Sequence, residues 1–457
     1  MKKILLFLAV TFSTASYSQL TDANIHQAYQ DWRNTPSYAL TVWGHISDWD
    51  VSNVTNMESL FEEPTINVNI RFDDDISGWD VSNVTNMKHM FKRALYFNQD
   101  ISGWDVSKVT NMQEMFYDAE SFNQPIGNWI VSSVTNMSGM FHEALVFNQP
   151  IGNWDVSNVT IMNYEFADSV NLIIGMFGNA RQFNQDISGW DVSNVTNMNG
   201  MFGDAYSFNQ DISGWDVSNV TDMRYMFWEA TTFNQDIGDW DVSSVTNMRY
   251  MFKKAVYFNQ DISGWDVSNV TDMGSMFYSA VNFNQSLENF DISSVTNMEG
   301  MFMETINLSV YNFDSTIIGW YNNPNGIQSN VNLGGNIAYC NSRDWLYLLE
   351  NNFDWYIQTD EDTPNGTYTG FYRDCSTASL EDQNQLDISI YPNPTSGMVY
   401  IDGNYSQLKA VVYDILGKQV IKESITNNID ISQLEKGVYI LQLSDGVKLT
   451  TKRIIKK

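Results

Sequence analysis

Large apolar residues return along this chain at a fixed interval, and the polar residues between them return as regularly. Tryptophan marks the period at Trp49, Trp79, Trp104, Trp129, Trp154, Trp190, Trp215, Trp240 and Trp265, with Phe290 in its place one unit later. Six steps between Trp79 and Trp265 are 25 residues, as is the step to Phe290; the step from Trp154 to Trp190 is 36, one unit plus an 11-residue insertion. A period in this range predicts a stacked solenoid, because one such unit cannot bury its apolar face alone. A divergent counterpart of the same tryptophan is expected at Trp320.

The unit at 104–128 shows how the pattern becomes structure. Its large or apolar positions are Trp104, Val106, Val109, Met112, Met115, Phe116, Ala119, Phe122 and Ile126. Stacked at roughly 5 Å per coil, each becomes one rung of a column. The Met-Phe-x-x-Ala spacing predicts a short helical turn. Trp-Asp-Val and Val-Thr-Asn-Met are β-branched and aromatic, which predicts short strands in parallel ladders.

Two polar columns accompany the core. Phe-Asn-Gln recurs, as at Phe122-Asn123-Gln124; its amides can bond backbone at a corner and their copies above and below, or face a glycan or partner. The Asp after the tryptophan recurs as Asp50, Asp80, Asp105, Asp155, Asp191, Asp216, Asp241, Asp266 and Asp291. Stacked carboxylates repel unless each accepts local hydrogen bonds or a cation lies between them. Asp191, Asp216, Asp241 and Asp266 are therefore weak calcium candidates, with turn capping as the alternative. Ile130 interrupts the column, no other cofactor is implied, and the 22 methionines read as adaptable core filling.

Composition narrows the partners. The 457 residues carry 24 Lys+Arg against 54 Asp+Glu, a net charge of -30 that repels nucleic acid. Residues 1–18 read as a signal peptide: Lys2 and Lys3, an apolar run over 4–10, then small polar residues to Ser18. No later run is long and apolar enough for a spanning helix, so the mature form is expected to lack one. Export makes a disulfide between the only two cysteines, Cys340 and Cys375, plausible chemistry. The recurring Asn-Val-Thr is formally a glycosylation sequon but sits inside the repeated strand, which favours a structural role.

Specificity has to come from the few positions that vary. Gln113, Glu114, Tyr117, Asp118, Glu120 and Ser121 of one unit correspond to Arg224, Tyr225, Trp228, Glu229, Thr231 and Thr232 of another. Tyr225, Trp228, Tyr250 and Tyr257 are the candidate ligand-binding patch, for which exposed aromatics suit protein or carbohydrate contact; core packing is the equal alternative for Trp228.

The repeat unit Trp-Asp-Val-Ser-Asn-Val-Thr-Asn-Met-x-x-Met-Phe-x-x-Ala, as at 190–205, closely resembles the BspA-like leucine-rich-repeat surface proteins, also seen as mycoplasma-type surface repeats. The resemblance implies a leucine-rich-repeat-like solenoid over 46–303, about ten units, on a cell surface, and a role in adhesion to a host or bacterial surface protein or glycan. Departures are Ile130, Ile161, Phe290 and the insertion near 163–174. Residues 19–45 are expected to form an N-terminal cap, with Trp32 and Trp43 over the first coil, and 304–375 a C-terminal cap.

A polar linker over 376–385 precedes a change in charge. Residues 386–457 hold nine Lys+Arg and seven Asp+Glu, against 15 and 47 in the rest of the chain. Alternating runs at 386–391, 398–402, 409–413, 437–443 and 448–455, with turns at Asn393-Pro394 and Leu416-Gly417, predict a small all-β sandwich. Tyr391-Pro392-Asn393-Pro394-Thr395-Ser396-Gly397, Val412-Tyr413-Asp414-Ile415-Leu416-Gly417-Lys418 and Leu434-x-x-Gly437-Val438-Tyr439 resemble the type A C-terminal sorting domain of the type IX secretion system. That resemblance implies a Bacteroidetes-type bacterium, export through that machinery, and an extracellular or outer-surface location.

No Gly-x-Ser-x-Gly, His-Glu-x-x-His, paired Cys/His or phosphate-binding loop is evident, and the recurring acids repeat per unit where catalysis needs a unique constellation. The expectation is a non-enzymatic adhesion or binding module; the alternative is a structural surface or matrix component without a discrete ligand.

Overall fold

The computed structural model describes residues 17–64, 71–165, 173–334, 342–358, 388–403, 407–414, 418–444 and 449–457. The signal segment up to residue 16, the linker, Leu416-Gly417, Cys340 and Cys375 lie outside the described residues. The chain divides into two compact units, Met1–Phe371 and Tyr372–Lys457.

In the first, every apolar column of the repeat is buried. Rings stack within and between repeats: the centroids of Phe116 and Phe122 lie 3.9 Å apart, those of Phe116 and Phe141 5.7 Å, and those of Trp129 and Trp154 6.5 Å. Each indole of the repeat column is also hydrogen-bonded. Trp104 Nε1 donates to the carbonyl of Ile76 in the preceding repeat at 3.2 Å, Trp215 to Ile187 at 3.2 Å, and Trp320 in the C-terminal cap to Leu287 at 2.9 Å. Trp320 thus takes the place expected for it.

The amides form a second ladder. Asn123 N–H donates to Asn98 Oδ1 at 3.0 Å, Asn148 N–H to Asn123 Oδ1 at 2.9 Å, and so on to Ser309 N–H on Asn284 Oδ1 at 2.8 Å. Gln124 Nε2 donates to the Asn98 carbonyl at 2.8 Å, so each Phe-Asn-Gln corner is tied to its copy by both amides.

Local conformation departs from the expected strands and helical turn. Val84 N–H closes a turn on Val81 O at 2.8 Å, because Asp80 Oδ1 takes Ser82 N–H at 3.1 Å and bends the segment where a Trp-Asp-Val strand was expected. Val-Thr-Asn-Met keeps one parallel bridge per repeat, as between Asn86 and Asn111. Over Met87 to Ala94 the backbone forms overlapping turns, with Met90 N–H on Met87 O, Lys92 N–H on His89 O and Ala94 N–H on Phe91 O. The alternate amides of Met87, His89, Phe91 and Arg93 leave the segment for Asn111 O, Gln113 O, Met115 O and Tyr117 O of the next repeat. Left-handed φ at His89 (58°) and Arg93 (62°) turns those amides along the stack, where a helix would spend them on itself. The left-handed state costs about 1–2 kcal/mol per residue, and none of the non-glycine residues recorded in it is β-branched.

Helices flank this ladder on both sides in sequence. Helices α1 (Ile25–Asn34) and α2 (Pro36–Val42) precede the repeats; Trp32 and Trp43 are half-buried against the core. Asp22 replaces a missing repeat: Oδ1 accepts the N–H of Thr55 at 2.7 Å and of Asn56 at 3.0 Å, and Oδ2 the Thr55 hydroxyl at 2.6 Å. The insertion opens and closes with strands β1 (Asn163–Glu165) and β2 (Ile173–Gly175), paired antiparallel, and the ladder resumes with Phe141 N–H on Met176 O at 2.9 Å. Helix α3 (Val310–Tyr321) continues the stack with Asn312 in the glutamine's role, its Nδ2 donating to Asn284 O at 2.7 Å. Strand β3 (Asn332–Gly334), helix α4 (Arg343–Phe353) and strand β4 (Tyr356–Gln358), parallel to β3, complete the described part.

The second unit holds β5 (Ile388–Tyr391), β6 (Met398–Gly403), β7 (Leu408–Asp414), β8 (Gln419–Ile425), β9 (Asn428–Asp430), β10 (Gly437–Ser444) and β11 (Leu449–Lys456). They form antiparallel sheets of order β11-β10-β7-β8 and β5-β6-β9. Val399, Leu408, Val412, Ile429, Leu441 and Ile454 belong to one buried cluster drawn from both. The five expected runs are all strands; β8 and β9 are additional.

Candidate functional site

Three neighbouring columns on the left-handed segment carry the variation. One reads His89, Glu114, Gly139, Gly175, Gly200, Tyr225, Tyr250; the next Lys92, Tyr117, His142, Gly178, Gly203, Trp228, Lys253; the third Arg93, Asp118, Glu143, Asn179, Asp204, Glu229, Lys254. Backbone bonds hold them in step: Glu143 N–H to Gly178 O at 2.8 Å, Asn179 N–H to Gly203 O at 2.6 Å and Asp204 N–H to Trp228 O at 2.6 Å.

Where two columns run through glycine together, side chains vanish and a cleft of about 390 Å³ opens. Gly178, Gly200 and Gly203 line it, with His142 from the preceding repeat and Tyr225, Trp228 and Tyr250 from those that follow; Glu143, Asn179, Asp204 and Lys253 complete it. A Cβ at Gly178 would sit 2.4 Å from His142 Nδ1, so any larger residue there would have to displace the imidazole. At Gly203 its nearest neighbours would be Tyr225 O at 3.4 Å and Gly200 O at 3.5 Å.

Two polar atoms of the lining, on His142 and Trp228, lack a hydrogen-bond partner. His142 is 8% exposed, and burial holds its imidazole down at about 4 against a bond to the Gly175 backbone. The ring is therefore neutral at pH 7, and its Nδ1 is buried without a hydrogen-bond partner, as is Trp228 Nε1. Burial, then the neighbouring Glu229, raises Asp204 to about 6; burial also raises Glu143, against a bond from Asn179. One repeat further, burial and the Glu143 charge lift Asp118 to about 7. Glu114 contrasts with these: burial works to raise it, but His89 and Lys92 prevail and bring it down to about 2.

Three of the four aromatic residues expected to form a patch meet here. Tyr225 and Tyr250 have centroids 4.6 Å apart, and Tyr225 packs edge-on to Trp228 at 5.9 Å. Trp228 is half-buried, between the two readings of it. Tyr257 is 57% exposed on another column and does not line the cleft. The residues that sequence reasoning missed are His142, Glu143, Asn179, Asp204 and the glycines; the signal was two successive glycines, Gly178 and Gly203, in a column otherwise filled by large side chains.

The calcium candidates are placed apart from the cleft. The Oδ1 atoms of Asp191, Asp216, Asp241 and Asp266 accept the N–H of Ser193, Ser218, Ser243 and Ser268 at 3.0–3.1 Å, each carboxylate capping its own turn. The serine hydroxyl and N–H hold Asp191 and Asp241 below the ordinary carboxylate range. Among the described residues no three His, Cys, Asp or Glu side chains are grouped to hold a metal ion.

Comparison with known proteins adds two findings. Residues 389–457 match the family described as Secretion system C-terminal sorting domain, so this is a protein of a Bacteroidetes-type bacterium secreted or displayed at the cell surface with the type IX machinery. No helix among the described residues is long and apolar enough to cross a membrane. No curated protein matches the chain. Overlapping matches at 24–144, 64–172, 167–243 and 215–313 together cover well over half of the sequence, and on them the chain belongs to the family described as Mycoplasma protein of unknown function, DUF285.

Proposed function

We propose that this surface protein is a non-catalytic adhesion or binding module, built on a leucine-rich-repeat-like solenoid over 46–303, and that the glycine-lined cleft is its contact site. One observation carries the reading: the stack repeats its ladders with little change, and it opens into a cleft beside the aromatic cluster of Tyr225, Trp228 and Tyr250. A scaffold needs no such interruption, whereas a binder needs a concave place with aromatic walls and a few free polar groups. The structural-component reading draws on the opposite feature, the sameness of the Trp and Asn ladders from repeat to repeat.

An array of glycans and extracellular-matrix proteins, probed with the full chain in calcium and in chelator, separates the two. Saturable capture that is lost in Gly203→Tyr supports the cleft. Capture unaffected by that substitution removes the cleft from the reading, and no capture in either condition favours the structural component. Loss of capture in chelator alone assigns a role to the Asp191 column.

A further inference from the structure

We propose that the cleft takes an organic cation, the guanidinium or ammonium group of a basic side chain on a partner polypeptide. This rests on the cleft being a binding site and names what it binds.

Two carboxylates, Glu143 and Asp204, line the cleft. Neutral His142 has an unpartnered Nδ1 buried on the Gly178 side of the cleft, where a Cβ would lie 2.4 Å away. Glu143 and Asp204 pair with no cation among the described residues; the nearby cations are already engaged. Arg181 Nε donates to Asn179 Oδ1 at 2.9 Å with its guanidinium 5.4 Å from the Tyr206 centroid, and Lys254 is paired to Glu229. Glu143, Asn179 and Asp204 are successive rungs, so the two carboxylates flank a span of roughly 10 Å at the usual strand spacing.

The walls suit the same ligand. Aromatic faces attract cations, and Lys253 shows it here, its Nζ lying 4.8 Å from the Tyr250 centroid and 4.9 Å from that of Tyr278. Against these acceptors and faces stand Trp228 Nε1 and the Lys253 ammonium, the latter already held over the rings of Tyr250 and Tyr278. A neutral sugar presents donors and acceptors in similar number and would leave the carboxylates uncompensated, and an anion would be repelled by them. Burial and neighbouring carboxylates raise the titration of Glu143 and Asp204, and the charge of Arg181 offsets this only in part.

The test is calorimetric titration of the full chain, in about 0.15 M salt to screen its overall charge, with a doubly capped peptide holding one arginine. Lysine and citrulline versions and a neutral oligosaccharide are run beside it. The expected result is saturable arginine or lysine binding, at least tenfold weaker for citrulline, and about tenfold weaker in Asp204→Asn or Glu143→Gln. Gly203→Tyr leaves the net charge unchanged and fills the cleft, so it should abolish binding; Tyr117 and Tyr278 already occupy that column. Should Gly203→Tyr fail to fold, Asp204→Asn decides alone. Equal affinity for citrulline, or arginine binding that survives Gly203→Tyr, overturns the inference. Saccharide binding that Gly203→Tyr removes, without binding of either cation, overturns it while leaving the cleft a binding site.

Discussion

Trp215 fills the core with its ring and ties two repeats together with its nitrogen, and the two contributions can be separated. Phe290 does so naturally, keeping a buried ring in a column whose other members donate to the preceding repeat. Trp215→Phe should therefore cost about 1–2 kcal/mol, since the Ile187 carbonyl loses its indole donor in a buried place; Trp215→Ala should cost about 3–5 kcal/mol. A urea melt of Trp215→Phe that matched the unsubstituted protein would show that the bond contributes nothing. Asp118 makes a pH-dependent counterpart. Because its folded titration point is raised to about 7 from 3.8, the folded state holds a proton that the unfolded chain has released. Stability from this group is full below about pH 4 and is lost as pH rises through 7. Asp118→Asn should raise the melting temperature at pH 8 and leave it nearly unchanged at pH 4; equal shifts at both would exclude titration as the cause. The tryptophan column was legible because a large ring every 25 residues has no local explanation. The raised Asp118 was not, because it depends on burial and on Glu143, which lies one repeat away in space and 25 residues away in sequence.

Among the elements, the caps show what each repeat supplies to its neighbour. Asp22 stands in for a threonine carbonyl, and Asn312 and Trp320 on α3 stand in for a glutamine and a repeat tryptophan. Asp22→Ala should release the amides of Thr55 and Asn56, with a loss of about 1 kcal/mol and faster hydrogen exchange confined to the first repeat. Exchange that quickened evenly along the stack would show that the cap governs global unfolding instead. Trp320 could be foreseen by extending the period; Asp22 could not, since one acid near a chain end has no pattern. Met112, Met115, Phe116 and Ala119 at spacings of three and four fit a helical turn as well as the overlapping turns observed. What decides between them is the left-handed backbone at Glu114 and Asp118, which neither residue type advertises. Strand β8 was missed for a different reason, as most of its side chains face solvent and its sequence lacks a clean alternation.

Across the whole molecule, the chain joins an acidic repeat unit to a C-terminal segment, residues 386–457, with nine basic and seven acidic residues. The sorting-domain match lies entirely in the latter, so removing residues 386–457 should retain the otherwise intact repeat protein inside the outer membrane. Cell fractionation checks this; appearance of the truncated chain in the medium at the full-length level would mean that the tail is not what exports it. Within the repeat unit, the amides of Met87, His89, Phe91 and Arg93 all point toward the following repeat, and Met57, Ser59, Phe61 and Glu63 bond in the same sense. Each interior repeat thus receives on one side what it gives on the other. Copying one whole repeat into the middle of the array adds equal numbers of donors and acceptors and leaves both caps facing the surfaces they already fit. Length can therefore change by duplication or loss of single repeats without any new interface having to arise, whereas a cleft needs two adjacent copies to lose their side chains together.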